Sequence, residues 1–276
     1  MQKKLVHRIA VTVCAIVLTA LSLTACGKPV SNGLMEGASP GTSALALYYY
    51  DGGEVSFSYI YDTPAIQSLL NELDALKATE TADWSLEDIS PPIYGLNIGA
   101  ADGWGMFAAW SNGYWITQSG TAYKFDFDFA ELYEKYPGTD KRDFTSFSIF
   151  PCAYFLTQDE SGWNSTLLTP AAEPKPPVGV TMTLESWRKD TVTVNITNNG
   201  AEDWMYGEYF ALEVLLNGAW YEIPATPGNW AFNSLGLIVQ SGETQSKTYS
   251  LAMYGELPYG TYRLVAYELS AETTLP

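Results

Sequence analysis

Apolar positions along this chain change their spacing in steps, and each step marks a different kind of element. Residues 9–25 form an almost wholly apolar run without a charge. From residue 44 the runs shorten. "ALALYYY" (44–50) and "EVSFSYIY" (54–61) flank Asp51-Gly52-Gly53, which predicts a β-hairpin. Ile66, Leu69, Leu70, Leu73 and Leu76 then recur at helical spacing behind Thr63-Pro64, predicted as the N-cap and a first-turn proline. "IYGLNIG", "GMFAAWS", "GYWITQ" and "TAYKFDF" follow, separated by turns such as Asp102-Gly103 and Asn112-Gly113, and predict a meander of short antiparallel strands. Asp128 with Glu131 predicts a capping box ahead of a short helix, "FAELYEKY". "SFSIFPCAYFLT" (146–157) is expected to return to the sheet as a last strand.

Two stretches interrupt this rhythm. Residues 26–43 are rich in Gly, Ser and Pro and are expected to form a flexible tether. "TPAAEPKPPVG" (169–179) is expected to be an extended, semi-rigid linker. They bound a first domain over 44–168, α+β in class, with helices packed on an antiparallel sheet. Beyond the linker the pattern is wholly that of strands. "VTMTLESW", "DTVTVNITNN", "YFALEVLLNGAWYEIP", "WAFNSLGLIV", "TQSKTYSL" and "GTYRLVAYEL" predict an all-β sandwich over 180–276.

The apolar run at 9–25 follows the basic residues Lys3, Lys4 and Arg8. At 17 residues it falls short of the roughly 20 that span a bilayer. A basic lead, a short apolar stretch and small closing residues predict a cleaved signal peptide over 1–25. Leu23-Thr24-Ala25-Cys26 resembles the lipobox of bacterial lipoproteins. That resemblance implies a diacylglyceryl thioether on Cys26, cleavage before it, and acylation of the new amine. One acyl chain holds a protein to a membrane only marginally, whereas two or three make a stable anchor. The expected location is extracytoplasmic, with the chain held to the bacterial membrane through lipid on Cys26.

"VNITNNG" (194–200), "YGEYFALEVLLNGAWYEIP" (206–224) and "SGETQSKTYSLAMYGELPYGTYRLV" (241–265) resemble a bacterial immunoglobulin-like domain found in surface lipoproteins and related exported proteins. Tyr206-Gly207-Glu208-Tyr209 and Leu257-Pro258-Tyr259-Gly260-Thr261-Tyr262-Arg263 carry most of the likeness, although Tyr259 separates the Pro and Gly that usually adjoin. The resemblance implies an immunoglobulin-like β-sandwich used for display, spacing or adhesion. It brings no active site with it.

Composition narrows the chemistry. Loss of Lys3, Lys4 and Arg8 with the leader lowers the basic count from 14 to 11 against 31 acidic residues, a side-chain balance of −20. Such a chain repels nucleic acid, and none is expected as a partner. His7 is the only histidine and lies in the leader. Imidazole base catalysis and Ser-His-Asp or Cys-His arrangements are therefore not expected in the processed chain. Cys14 also lies in the leader and Cys26 is assigned to lipid, so Cys152 stands alone, without an internal disulfide. Its apolar context, "IFPCAYF", predicts a buried small hydrophobe. No metal site and no cofactor are expected.

The candidate binding residues are aromatic. Trp104, Trp110, Tyr114 and Trp115 lie within "DGWGMFAAWSNGYW". Alternation along a strand places Trp104, Met106, Ala108 and Trp110 on one face, and sends Tyr114 and Trp115 to opposite faces. One of that pair is therefore expected to lead outward. The function expected is a non-catalytic, lipid-anchored surface protein for binding or display, with an envelope protein or glycan as partner. An alternative is a carbohydrate-binding module built on residues 104–115. A third is a hydrolase using carboxylates alone, with Asp126 and Asp128, Asp51 and Glu54, or Asp159 and Glu160 as pairs.

Overall fold

The computed structural model describes residues 33–38, 41–100, 105–136, 141–159, 162–228 and 230–275. The expected signal peptide, Cys26 and Trp104 lie outside them. The first unit is built on an eight-stranded antiparallel sheet, in the order β3-β7-β6-β5-β4-β1-β2-β8. Its strands are β1 (Thr42–Tyr50), β2 (Val55–Ile60), β3 (Thr79–Thr81), β4 (Ile93–Ala100), β5 (Gly105–Ser111), β6 (Tyr114–Thr117), β7 (Ala122–Lys124) and β8 (Lys141–Phe144). The β1–β2 hairpin closes as expected, with Tyr50 opposite Val55 and the Asp51 carboxylate accepting from the N–H groups of Gly53 and Glu54. β4 to β7 form the expected meander.

Helix α1 (Thr63–Asp74) buries Ile66, Leu69, Leu70 and Leu73 against one face of the sheet. Each such side chain contributes about 1.5–3 kcal/mol through burial. Its N-cap is Asp62 and not Thr63, because the Asp62 carboxylate accepts from Ala65 N–H and so moves the helix start one residue earlier. α2 (Phe129–Lys135) starts at Asp128, which accepts from Glu131 N–H at 2.9 Å.

Two expectations fail for one physical reason: both faces of this sheet are covered. The 146–157 stretch is not a strand. It forms a 3-10 turn (Phe147–Ile149) and a short helix α3 (Ala153–Leu156), and it packs Phe147, Phe150, Ala153 and Leu156 onto the second face. Pro151 has no N–H for a ladder, and Cys152 turns the chain at φ 59. The returning strand is instead β8, an edge on β2. The tether expected over 26–43 is likewise folded in part. Leu34 and Met35, 1% and 2% exposed, plug the first face from a 3-10 turn (Gly33–Met35).

A two-stranded ribbon, β9 (Gln158–Asp159) and β10 (Gly162–Trp163), leads out of the first unit. The second is a sandwich. One sheet holds β11 (Val180–Arg188), β12 (Thr191–Asn198) and β17 (Thr244–Ser250). The other holds β14 (Ala211–Leu216), β15 (Ala219–Glu222), β18 (Gly260–Ala266) and β19 (Leu269–Leu275), in the order β15-β14-β18-β19. β13 (Trp204–Tyr206) and β16 (Leu237–Val239) pair as a separate ribbon. Strict alternation along β12 sends Val192, Val194 and Ile196 inward to meet Leu212, Val214, Tyr262 and Leu264. "WAFNSLGLIV" is a strand only at its end. Asn233 accepts from Leu235 N–H and bends the chain before β16 begins.

Candidate functional site

The described members of the sequence-predicted aromatic set, Trp110, Tyr114 and Trp115, do not form an exposed surface. Trp115 is 0% exposed and Tyr114 is 8% exposed. Their rings do point to opposite faces, as strand alternation requires, but neither leads outward, because a covered face receives each. Trp115 joins the α1 and α2 side, stacks on Phe129 and donates its indole N–H to the Leu34 carbonyl at 3.1 Å. Tyr114 joins the α3 side. Trp110 sits across the strand pair from Trp115, half-buried and packed on Phe129, with its indole N–H buried and without a hydrogen-bond partner among the described residues. Cys152 is buried, and burial pushes its thiol well above the ordinary range. Two of the paired carboxylates, those of Asp51 and Asp128, do local structural work. Asp51 holds the hairpin turn, and its two backbone donors hold its carboxyl below the ordinary value. Asp128 caps α2. Glu160 lies outside the described residues.

What the fold does assemble is a junction between the two units. Residues 169–171 lie antiparallel along the edge of β15: Glu222 N–H donates to the Thr169 carbonyl at 2.9 Å and Ala171 N–H to the Trp220 carbonyl at 2.8 Å. The stretch expected to be a spacer is therefore docked. Prolines suit it to that edge, since they need no ladder donor. Arg263, 2% exposed, fixes the same stretch. It donates to the Ala172 carbonyl at 3.1 Å and to Glu173 at 3.0 Å, while its Nε donates to buried Glu213 and its guanidinium lies over the Trp220 ring. Burial raises the Glu213 carboxyl above its ordinary value, and Arg263 acts in the opposite direction.

Ahead of this stretch, Leu168 is part of the sandwich core. Tyr154 donates to the Glu256 carbonyl at 3.1 Å, and Gly255 passes so close that an added Cβ would lie 2.6 Å from the Tyr154 hydroxyl. The Ser146 hydroxyl donates to Glu222 at 2.7 Å. A cleft of about 170 Å³ remains where Ser148 faces Tyr209, Glu213 and Glu222. Burial, then the two carboxylates, push the Tyr209 hydroxyl upward in pKa.

The exposed large apolar side chains gather on the second unit: Met205, Tyr209, Trp230, Leu235, Ile238 and Tyr259 are each at least 47% exposed. Sequence reasoning missed Trp230, Leu235 and Ile238 because "WAFNSLGLIV" reads as a strand. The breaker triplet Thr226-Pro227-Gly228 ahead of it was the available signal that a loop begins there. Comparison with curated proteins gave no match, and comparison with solved structures gave none. No described helix is long and apolar enough to cross a membrane. Residues 176–274, which span the sandwich to within one residue of its last strand's end, match the bacterial Ig-like domain family, and the C-terminal unit is Ig-like in sequence as in architecture.

Proposed function

We propose that this protein is a non-catalytic, lipid-anchored binding protein of the bacterial envelope. Lipid on Cys26 holds the chain, the α+β unit stands next, and the Ig-like unit presents the contact surface. The observation that carries this reading is the distribution of exposed apolar side chains. Most of them lie on the Ig-like unit; the first unit exposes Tyr61, Phe144 and Ile149, while most of its other aromatics cover the two faces of its sheet. Two sequence facts support a role without catalysis: the one histidine lies in the leader, and the one cysteine left after Cys26 is buried. A carbohydrate module centred on residues 104–115 loses support, since Tyr114 and Trp115 are enclosed.

Cys26→Ser tests the anchor. Wild type should fractionate with membranes and carry an acylated N-terminus by mass spectrometry. The variant should be released, with an unprocessed or unmodified N-terminus. A variant that stays membrane-bound with the wild-type mass would overturn the assignment.

A further inference from the structure

The described residues of the connection 223–236 form neither helix nor strand, and between this connection and β17 lies a cleft of about 330 Å³. Its outer wall is Trp230, 47% exposed. The indole N–H is fixed to the Thr226 carbonyl at 2.8 Å, and Gly228 lies against the ring, where an added Cβ would come within 3.4 Å of the indole nitrogen. Phe232 meets Phe210 edge to face at 5.6 Å, and Phe210 packs on Tyr249 at 4.9 Å, so the aromatic lining runs from the surface into the sandwich core. Polar groups are few. Glu208 contributes a carboxylate, one oxygen of which is held by Lys247 at 2.7 Å. Ser250 contributes a hydroxyl. The Tyr249 hydroxyl is buried without a hydrogen-bond partner among the described residues.

We propose that this cleft binds a neutral pyranose unit of a glycan. The inference deepens the reading of this chain as a binding protein and names its ligand class. Three features select that ligand. A pyranose presents a flat face of C–H groups, which suits an oriented, half-exposed indole. It carries hydroxyl donors at its rim, which suit the carboxylate oxygen of Glu208 that does not bond Lys247. It is uncharged, whereas a uronate would approach Glu208 on a chain of net charge −17. The cleft falls at the small end of the range for ligand sites, about 300–1,000 Å³, enough for one or two ring units and not for a folded partner.

Native gels containing hydroxyethyl cellulose, a yeast mannan or an N-acetylglucosamine polymer (glycol chitin), with polygalacturonate as the anionic comparison, test this on the full chain in mild detergent. At least one neutral polymer should retard wild type, and polygalacturonate should not. Trp230→Ala should weaken that retardation about 30-fold or more, as loss of a central aromatic contact does. Ala231→Trp, which fills the cleft without removing a contact, should do the same, and both variants should keep the wild-type thermal midpoint. Should Trp230→Ala unfold, Ala231→Trp decides alone. No retardation by any neutral polymer, equal retardation of wild type and Ala231→Trp, or preference for polygalacturonate would each overturn the site, leaving the Cys26 result untouched. Trp230-dependent retardation together with shortened glycan chains would support the site and overturn the non-catalytic reading.

Discussion

The indole N–H of Trp163 donates to the hydroxyl of Tyr262 at 3.0 Å, a bond between the ribbon leaving the first unit and the core of the second. Tyr262 is 0% exposed, and its own proton goes to the Pro258 carbonyl. Burial pushes its pKa up to about 12, with the Trp163 bond acting in the opposite direction. The hydroxyl therefore stays neutral and serves both bonds across the physiological range. With Leu168 in the sandwich core and Arg263 on residues 172 and 173, the two units meet through buried contacts and not through a free spacer.

Gly255→Ala should weaken that junction. Gly255 has φ 62, and a methyl there would lie 2.6 Å from the Tyr154 hydroxyl and 3.0 Å from Thr226 Cγ2. Backbone strain and the close contact together should cost about 1–3 kcal/mol. Denaturant unfolding of the full chain measures the loss, and limited proteolysis should show faster cleavage within residues 169–179. Unchanged stability and cleavage would mean that the close approach is relieved elsewhere.

Trp115 and Trp110 face each other across β5 and β6, yet replacing each by phenylalanine should give opposite results. Trp115→Phe removes the donor to the Leu34 carbonyl inside the core and should cost about 1–3 kcal/mol. Trp110→Phe removes a buried N–H that has no partner among the described residues, so the cost of lost ring area is offset and stability should change by less than about 1 kcal/mol. Urea unfolding of the two variants checks the contrast. Equal losses would show that ring volume, not the hydrogen bond, sets the cost.

Arg263→Met should make stability depend on pH. The Glu213 carboxyl already titrates above its ordinary value through burial, and Arg263 is what restrains the rise. A group whose pKa is higher in the folded state adds stability that is complete below the unfolded value and is lost as pH rises through the folded one. Removing Arg263 raises the carboxyl further and widens that window. The variant should lie closest to the parent near pH 4 and fall about 3–5 kcal/mol below it by pH 7, where an ionised Glu213 is left buried without its cation. Urea unfolding at the two pH values measures this. A gap that does not grow with pH would mean that Glu213 titrates independently of Arg263.

Where one periodicity dominates, the sequence was legible. Ile66, Leu69, Leu70 and Leu73 announce α1, the turn at Asp51-Gly52-Gly53 announces its hairpin, and the alternation of β12 announces the sandwich. Faces were harder. A strand buried on one side alternates, but β1 and β6 are buried on both, so spacing in Tyr114-Trp115 does not say that a second layer exists. That layer comes from 146–157, whose unbroken apolar character fits a strand as well as the coiled cover it forms. Residues 33–38 and 169–173 read as spacers because small residues and prolines dominate them. Their docking rests on Leu34, Met35 and partners distant in sequence, Trp115, Tyr221 and Arg263, that no local pattern exposes. The candidate cleft was hidden for a related reason: Trp230 and Phe232 alternate as strand residues do, while the described residues from Pro227-Gly228 to the bend at Asn233 form a loop.

A sandwich displayed densely on a surface faces a hazard of its own making. Any sheet margin with unpaired amides is an invitation for the next copy to add a strand, and identical neighbours held close together would then polymerise. Here the margin of β15 is occupied by the chain's own residues 169–171, which arrive in antiparallel register and follow with prolines that cannot extend the ladder outward. The segment that joins the two units thus also closes the β15 margin to strand addition by a neighbouring copy.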